Sequence, residues 1–164
     1  MRHLGSLTVT TPTDREIAMT RLFDAPRSLV FEAFIRPELI RRWLLGPPGW
    51  TMVVCEFDAR PGGLYRYVWH KDDGTVMGMG GVVQEVVAPE RLVATEKFDH
   101  AWYPGEAIDT TTFVEDGPTT IVSITVLYES KETRDAVLKT PMAEGMVAGY
   151  DRLAELLTTL VEKA

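Results

Sequence analysis

Between Thr51 and Tyr128 the sequence carries about six strand-length segments separated by short turns, and one long helical pattern follows them. The segments are 51–58, 64–70, 76–87, 91–98, 106–115 and 119–128. Turns are read at Pro61-Gly62-Gly63, Asp72-Asp73-Gly74, Pro89-Glu90 and Asp116-Gly117-Pro118. Connections this short join antiparallel neighbours, because parallel strands need a long crossover. Arg15 to Phe23 supplies an earlier strand, with Ile17, Met19 and Arg21 opposed to Glu16, Ala18, Thr20 and Leu22. About seven strands therefore form one antiparallel meander. Pro141 opens a helix that runs to about Leu160, with Met142, Met146, Tyr150, Leu153, Leu156, Leu157 and Leu160 on one stripe. The economical arrangement is α+β: a curved sheet wrapped on that long C-terminal helix. A straight helix cannot touch a curved sheet everywhere, so an apolar cavity is expected between them.

The remaining segments fit around this frame. Residues 1–13 are polar and Thr-rich without periodicity, and read as a flexible lead-in to one domain over 14–164. Asp24-Ala25-Pro26 is a helix-start signal with Asp24 as candidate N-cap, followed by Val30, Phe31 and Phe34 at helical spacing. Pro37 closes that helix and opens a second over 38–44, which Gly46-Pro47-Pro48-Gly49 stops. These two short helices after the first strand close one end of the sheet. Residues 131–138 read as another short helix, and 99–105 as the one long non-strand connection, a candidate lid or rim.

The stretch Phe57 to His70 is the most informative hairpin. Asp58 and Arg60 share a face and can pair across the turn, which Pro61-Gly62-Gly63 forces by removing a donor and admitting positive φ. Beyond it, Tyr65, Tyr67 and Trp69 fall on one face, opposite Leu64, Arg66, Val68 and His70. An aromatic strand face either fills a core or lines a ligand cavity, and the pattern alone does not separate the two.

Composition narrows the function. A chain of 164 residues buries ~68–70% of its unfolded surface, enough for a core and a pocket. A net charge of −7 opposes nucleic-acid and anionic-membrane partners. The single Cys55 excludes an intramolecular disulfide and a Cys-rich metal site. No apolar run matches a signal peptide or a spanning helix, so membrane insertion is not expected and the default compartment is cytoplasmic.

Few residues offer chemistry. His3 sits in the lead-in, His70 ends a strand as a solvated residue, and His100 lies in the 99–105 loop beside Trp102 and Tyr103. No metal-binding spacing, nucleophile elbow or phosphate loop occurs, so no metal, cofactor or catalytic residue is assigned. Met77-Gly78-Met79-Gly80-Gly81 reads as a bent or bulged strand. Glu96 shares parity with Leu92, Ala94 and Phe98; pointing inward, it would have a raised pKa and could act as acid or base. A bulge, or pairing with an arginine at the sheet edge, is the competing reading. Asp109, between Ile108 and Thr110, poses the same choice.

Phe57-Asp58-x-Arg60-Pro61-Gly62-Gly63, then Asp73-Gly74, Glu85-Val86-Val87-x-Pro89-Glu90-Arg91-Leu92 and Tyr150-Asp151-Arg152-Leu153 occur in order. Together they resemble the activator-of-heat-shock-protein-90-ATPase homologue family of the START-like (SRPBCC, birch-pollen-allergen-like) superfamily. The resemblance runs from about Arg15 to Leu160 and implies the helix-grip fold. Where the family commonly has an aromatic, Gly and Leu, this chain has Met146, Pro141 and Tyr150, which would reshape the cavity and bring a hydroxyl to it.

Three functions follow. The first is binding of a small apolar ligand, lipid or polyketide in class, by Tyr65, Tyr67, Trp69, Phe98, Trp102, Met142, Met146 and Tyr150. The second is a cyclase- or aromatase-type enzyme using a pocket acid or base from among Glu96, Asp109, His100 and Tyr150. The third is a stress-response co-chaperone that stimulates a chaperone ATPase, as the family name implies. A homodimer is compatible with all three.

Overall fold

A computed structural model describes residues 7–45, 48–100 and 105–163. In chain order its elements are β1 (Thr8–Thr10), β2 (Glu16–Phe23), α1 (Arg27–Ile35), α2 (Pro37–Trp43), β3 (Trp50–Phe57), β4 (Leu64–Lys71), β5 (Val76–Val87), β6 (Arg91–Phe98), β7 (Ala107–Asp116), β8 (Thr119–Leu127), α3 (Lys131–Leu138) and α4 (Met142–Lys163). The strands make one eight-stranded sheet in the order β1-β2-β8-β7-β6-β5-β4-β3. Every neighbouring pair is antiparallel. Consecutive hairpins set the order from β3 to β8, with the longest connection, 99–106, between β6 and β7. Only β2 joins across a long separation, with Ile17 opposite Val126 and Phe23 opposite Thr120. This is the helix-grip fold.

Three local readings change. Thr8–Thr10 pairs with β2 as an edge strand, adding an eighth strand to the expected seven. All three residues are exposed, so no apolar alternation marks the strand. At the start of α1, the N-cap is Pro26 with no side-chain cap, rather than Asp24. The bulge in β5 falls between Val83 and Glu85, beyond the glycines. Those glycines serve close approach instead: a Cβ at Gly81 would run into the Thr95 carbonyl, and one at Gly78 into the Asp99 carboxylate. The hairpin turn is as read, with Gly62 at φ +85° and Arg60 Nε donating to Asp58 Oδ2 at 2.8 Å.

α4 packs on the sheet through its C-terminal half. Leu153, Leu156 and Leu157 join Phe23, Val30, Phe31, Leu92, Phe113 and Val122 in the principal core. α2 caps that core with Trp43, whose Nε1 donates to the Ala33 carbonyl at 2.9 Å. α4 lies close against α2 at Gly149, where a Cβ would make an ordinary contact 3.4 Å from the Trp43 carbonyl. Arg21 also faces inward from β2, and its buried guanidinium pairs with the exposed Asp151 of α4 at 2.9 Å. It thereby ties the first long strand to the last helix. α3 is capped at Ser130, whose side chain accepts from the Thr133 amide at 3.1 Å.

Candidate functional site

The aromatic residues of β4 face the concave side as a continuous wall. Tyr65, Tyr67 and Trp69 are each 6% exposed and pack with Ile40, Met52, Cys55 and Val83. Ring centroids are 5.3 Å apart for Tyr65–Tyr67 and 5.9 Å for Tyr67–Trp69. Two of the three polar tips are fixed by backbone: Tyr65 Oη donates to the Thr95 carbonyl at 2.6 Å and Trp69 Nε1 to the Leu44 carbonyl at 2.7 Å. Tyr65 sits opposite Gly81 on β5, and the bare glycine lets it reach across to β6. Every ring is packed and two of the three are anchored, which makes the wall rigid.

The other expected ligand contacts fall elsewhere on the concave side. Phe98, Met142 and Met146 are half-buried and pack against a second cluster containing Ile17, Met19, Val126 and Tyr128. Tyr150 is 1% exposed and belongs to the principal core, with its ring 5.3 Å from Phe23 and 5.8 Å from Trp43. Trp102 lies outside the described residues, as do positions 101–104 of the candidate lid. His70 and His100 are exposed.

Between the wall and the second cluster lie two carboxyl groups. The register sets Asp109 opposite Ala94 and Glu96 opposite Ala107 across the central β6–β7 pair. Cross-strand partners project to one face, so both carboxyls share the concave side with Leu92 and Phe113. They are hydrogen-bonded to each other. Desolvation raises the pKa of both. Glu96 is pushed up to about 7, moderated by the bond from Asp109. Asp109 is raised well above the usual carboxylate range by burial, then by the charge of Glu96 and the proton it donates to it. The pair thus holds protons to higher pH than free carboxyls do.

The surroundings of the pair hold no compensating cation among the described residues. Burial, more than the neighbouring Asp109, drives the Tyr67 and Tyr150 phenols far above their ordinary pKa. Burial likewise pushes the Cys55 thiol up. Asp109 Oδ1 and Tyr150 Oη are buried without a hydrogen-bond partner. Sequence parity left Glu96 open between an inward position and a bulged or edge-paired one, and the structure sets it inward. What parity could not supply was its partner, which depends on the β6–β7 register.

The family model described as "Activator of Hsp90 ATPase homolog 1-like protein" matches residues 24–158. Among solved structures, the chain is similar to a protein from Rhodobacter sphaeroides at 29% identity and a TM-score of 0.88, over 93% of this chain and 98% of that one. A protein from Chromobacterium violaceum matches at 30% identity and a TM-score of 0.73, over 86% and 96% respectively. CalU16 from Micromonospora echinospora, at 18% identity and a TM-score of 0.61 over 96% and 87%, shares the fold alone. No protein with a curated description matches the chain in sequence. Among the described residues, no helix is long and apolar enough to cross a membrane.

Proposed function

The chain belongs to the Activator of Hsp90 ATPase homolog 1-like protein family, and from that footing we propose that it binds a small apolar ligand between the concave face of the sheet and the N-terminal half of α4. One observation carries this reading. Phe98 and Ala94 of β6, Met79 of β5, and Met142 and Met146 of α4 are half-buried, although they pack against the inner clusters. Apolar side chains that face inward yet keep accessible surface leave room for an occupant, and methionines adapt to irregular shapes. The anchored aromatic wall is the rigid side of that space, and the methionines are the compliant side.

The test is titration with an environment-sensitive apolar probe of wild type and Met146→Trp, each checked for folding by circular dichroism. Filling the space with an indole weakens probe binding roughly tenfold, the effect of losing about one or two buried methylenes' worth of contact. Equal affinity in the two proteins places the probe elsewhere and removes the support for this reading. Stimulation of a chaperone ATPase by the purified chain, unaffected by Met146→Trp, would favour the co-chaperone alternative. Turnover of a polyketone-type substrate that depends on Glu96 would favour the cyclase alternative.

A further inference from the structure

Asp109 occupies a position that the fold by itself would fill with a hydrocarbon. Its cross-sheet row runs Ile17–Val126–Asp109–Ala94–Val83 over β2, β8, β7, β6 and β5. Every other member is apolar, and Ile17, Val126 and Val83 are buried. Glu96 stands one step along the same face, opposite the buried Ala107. Two carboxyls set among such neighbours are costly unless something compensates them.

The groups facing the pair do not compensate it. They are Tyr67 from β4, Cys55 from β3 by way of Tyr67, and Tyr150 from α4. Arg21 of β2 acts on Tyr150, but it is not paired with the carboxyls: its Nη1 is held by Asp151, its guanidinium lies over the Phe23 ring at 5.0 Å, and its Nε has no partner. Around the pair itself the unmet groups are an acceptor, a charge and a hydroxyl. Asp109 Oδ1 has no partner, the charge on Glu96 has no counter-ion among the described residues, and the Tyr150 hydroxyl has no partner. The two carboxyls are bonded to each other and Asp109 Oδ1 still lacks a donor, so the pair presents an unmet acceptor. A ligand carbonyl or carboxylate would bring more acceptors to acceptors. An ammonium brings two or three N–H donors and a positive charge.

We propose that the occupant of this site is an apolar amine, with its hydrocarbon body against Phe98, Met142 and Met146 and its ammonium head between Glu96, Asp109 and Tyr150. The proposal rests on the ligand-binding reading above and specifies the head group. The overall charge of −7 favours the approach of a cation.

The experiment compares three probes with one hydrocarbon chain: n-octylamine, 1-octanol and octanoate. Calorimetric titration of the intact protein is run at about pH 8 and about pH 5.5, on either side of the second protonation of the pair. Octylammonium is charged at both values, while Tyr67, Tyr150 and Cys55 stay protonated throughout. At the higher pH the amine binds about ten- to hundredfold tighter than octanol, the worth of a charge-assisted hydrogen bond. At the lower pH most of that advantage disappears, because Glu96 is then neutral. The double variant Glu96→Gln/Asp109→Asn loses the advantage and retains octanol binding, and Tyr150→Phe reduces the advantage without changing octanol. Octanol and amine binding equally, or octanoate binding best, overturns the amine assignment and leaves the apolar site standing. Failure of all three to bind, in a protein with a normal thermal transition, overturns the assignment and the ligand-binding reading together.

Discussion

Two regions of the same concave face are built differently, although one sheet and one helix make both. Under the C-terminal half of α4, Phe23, Phe113, Val122, Leu153 and Leu157 are all essentially sealed from solvent. The phenylalanines there meet edge to face, with Phe113 5.2 Å from Phe31 and 5.1 Å from Phe34. Under the N-terminal half, Phe98, Ala94, Met142 and Met146 are half-buried and surround two carboxyls. The first region has the density and chemistry of an interior whose only task is cohesion. The second sacrifices cohesion for accessible surface and acceptors. On the proposed ligand-binding reading, stability and recognition are assigned to opposite ends of one helix.

The largest effect that tests this contrast is truncation. Phe113→Ala should cost about 3–5 kcal/mol, the range for emptying a packed aromatic site. Phe98→Ala, in the looser region, should cost about half as much, since part of its surface is already accessible. Urea denaturation of both variants measures the difference, and equal losses would erase the contrast.

Next comes the carboxyl pair. Its folded-state pKa values lie above those of the unfolded chain, so the native state holds more protons and its stability falls as pH rises. The contribution is intact below about pH 4.5, the unfolded value, and is lost progressively as pH climbs through about 7 for Glu96. Glu96→Gln should therefore stabilise the protein by up to about 3 kcal/mol at pH 8 and by little at pH 5. The exposed carboxylates Asp99 and Asp135, lowered by hydrogen bonds from Arg66 and Lys131, act in the opposite direction at lower pH. The variant-minus-wild-type difference removes them from the comparison. A difference that is flat with pH would mean the pair is solvated, and the recognition region would lose its defining feature.

Smaller effects sharpen the boundary between the regions. Gly62→Val, at φ +85°, should cost ~1–2 kcal/mol through backbone strain alone. The loss should appear in the melting temperature without changing probe binding, because the turn holds the wall from outside. Tyr150→Phe should be smallest, within about 1 kcal/mol of neutral and on the stabilising side, since the buried hydroxyl has no partner. A clear destabilisation would show that the hydroxyl is bonded in solution and that Tyr150 belongs wholly to the cohesive region.

How much of this was legible in the sequence depended on whether the signal was local. The hairpins, α3 and the Gly62 turn were readable because proline, glycine and alternation act within a few residues. Glu96 was readable only as a candidate for the inward face, beside a bulged or edge-paired alternative. Its partnership with Asp109 was not, because it needs the register across β6 and β7, which no short-range pattern encodes. The grouping of Tyr65, Tyr67 and Trp69 apart from Tyr150 was hidden for a related reason: helix stripe and strand face were each clear, but their relative placement is tertiary. Thr8–Thr10 escaped because an exposed edge strand of three residues has no apolar face to betray it.

The bare position at Gly81 has a consequence for descent. Tyr65 reaches its Thr95 anchor only because nothing projects from the strand between them. If the wall binds a ligand as proposed, selection on what it recognises acts partly on a residue that is not one of its rings. A lineage that acquired any side chain at 81 would have to surrender that anchor before altering a single aromatic. The heritable shape of the site is written as much in an omission on β5 as in the rings of β4.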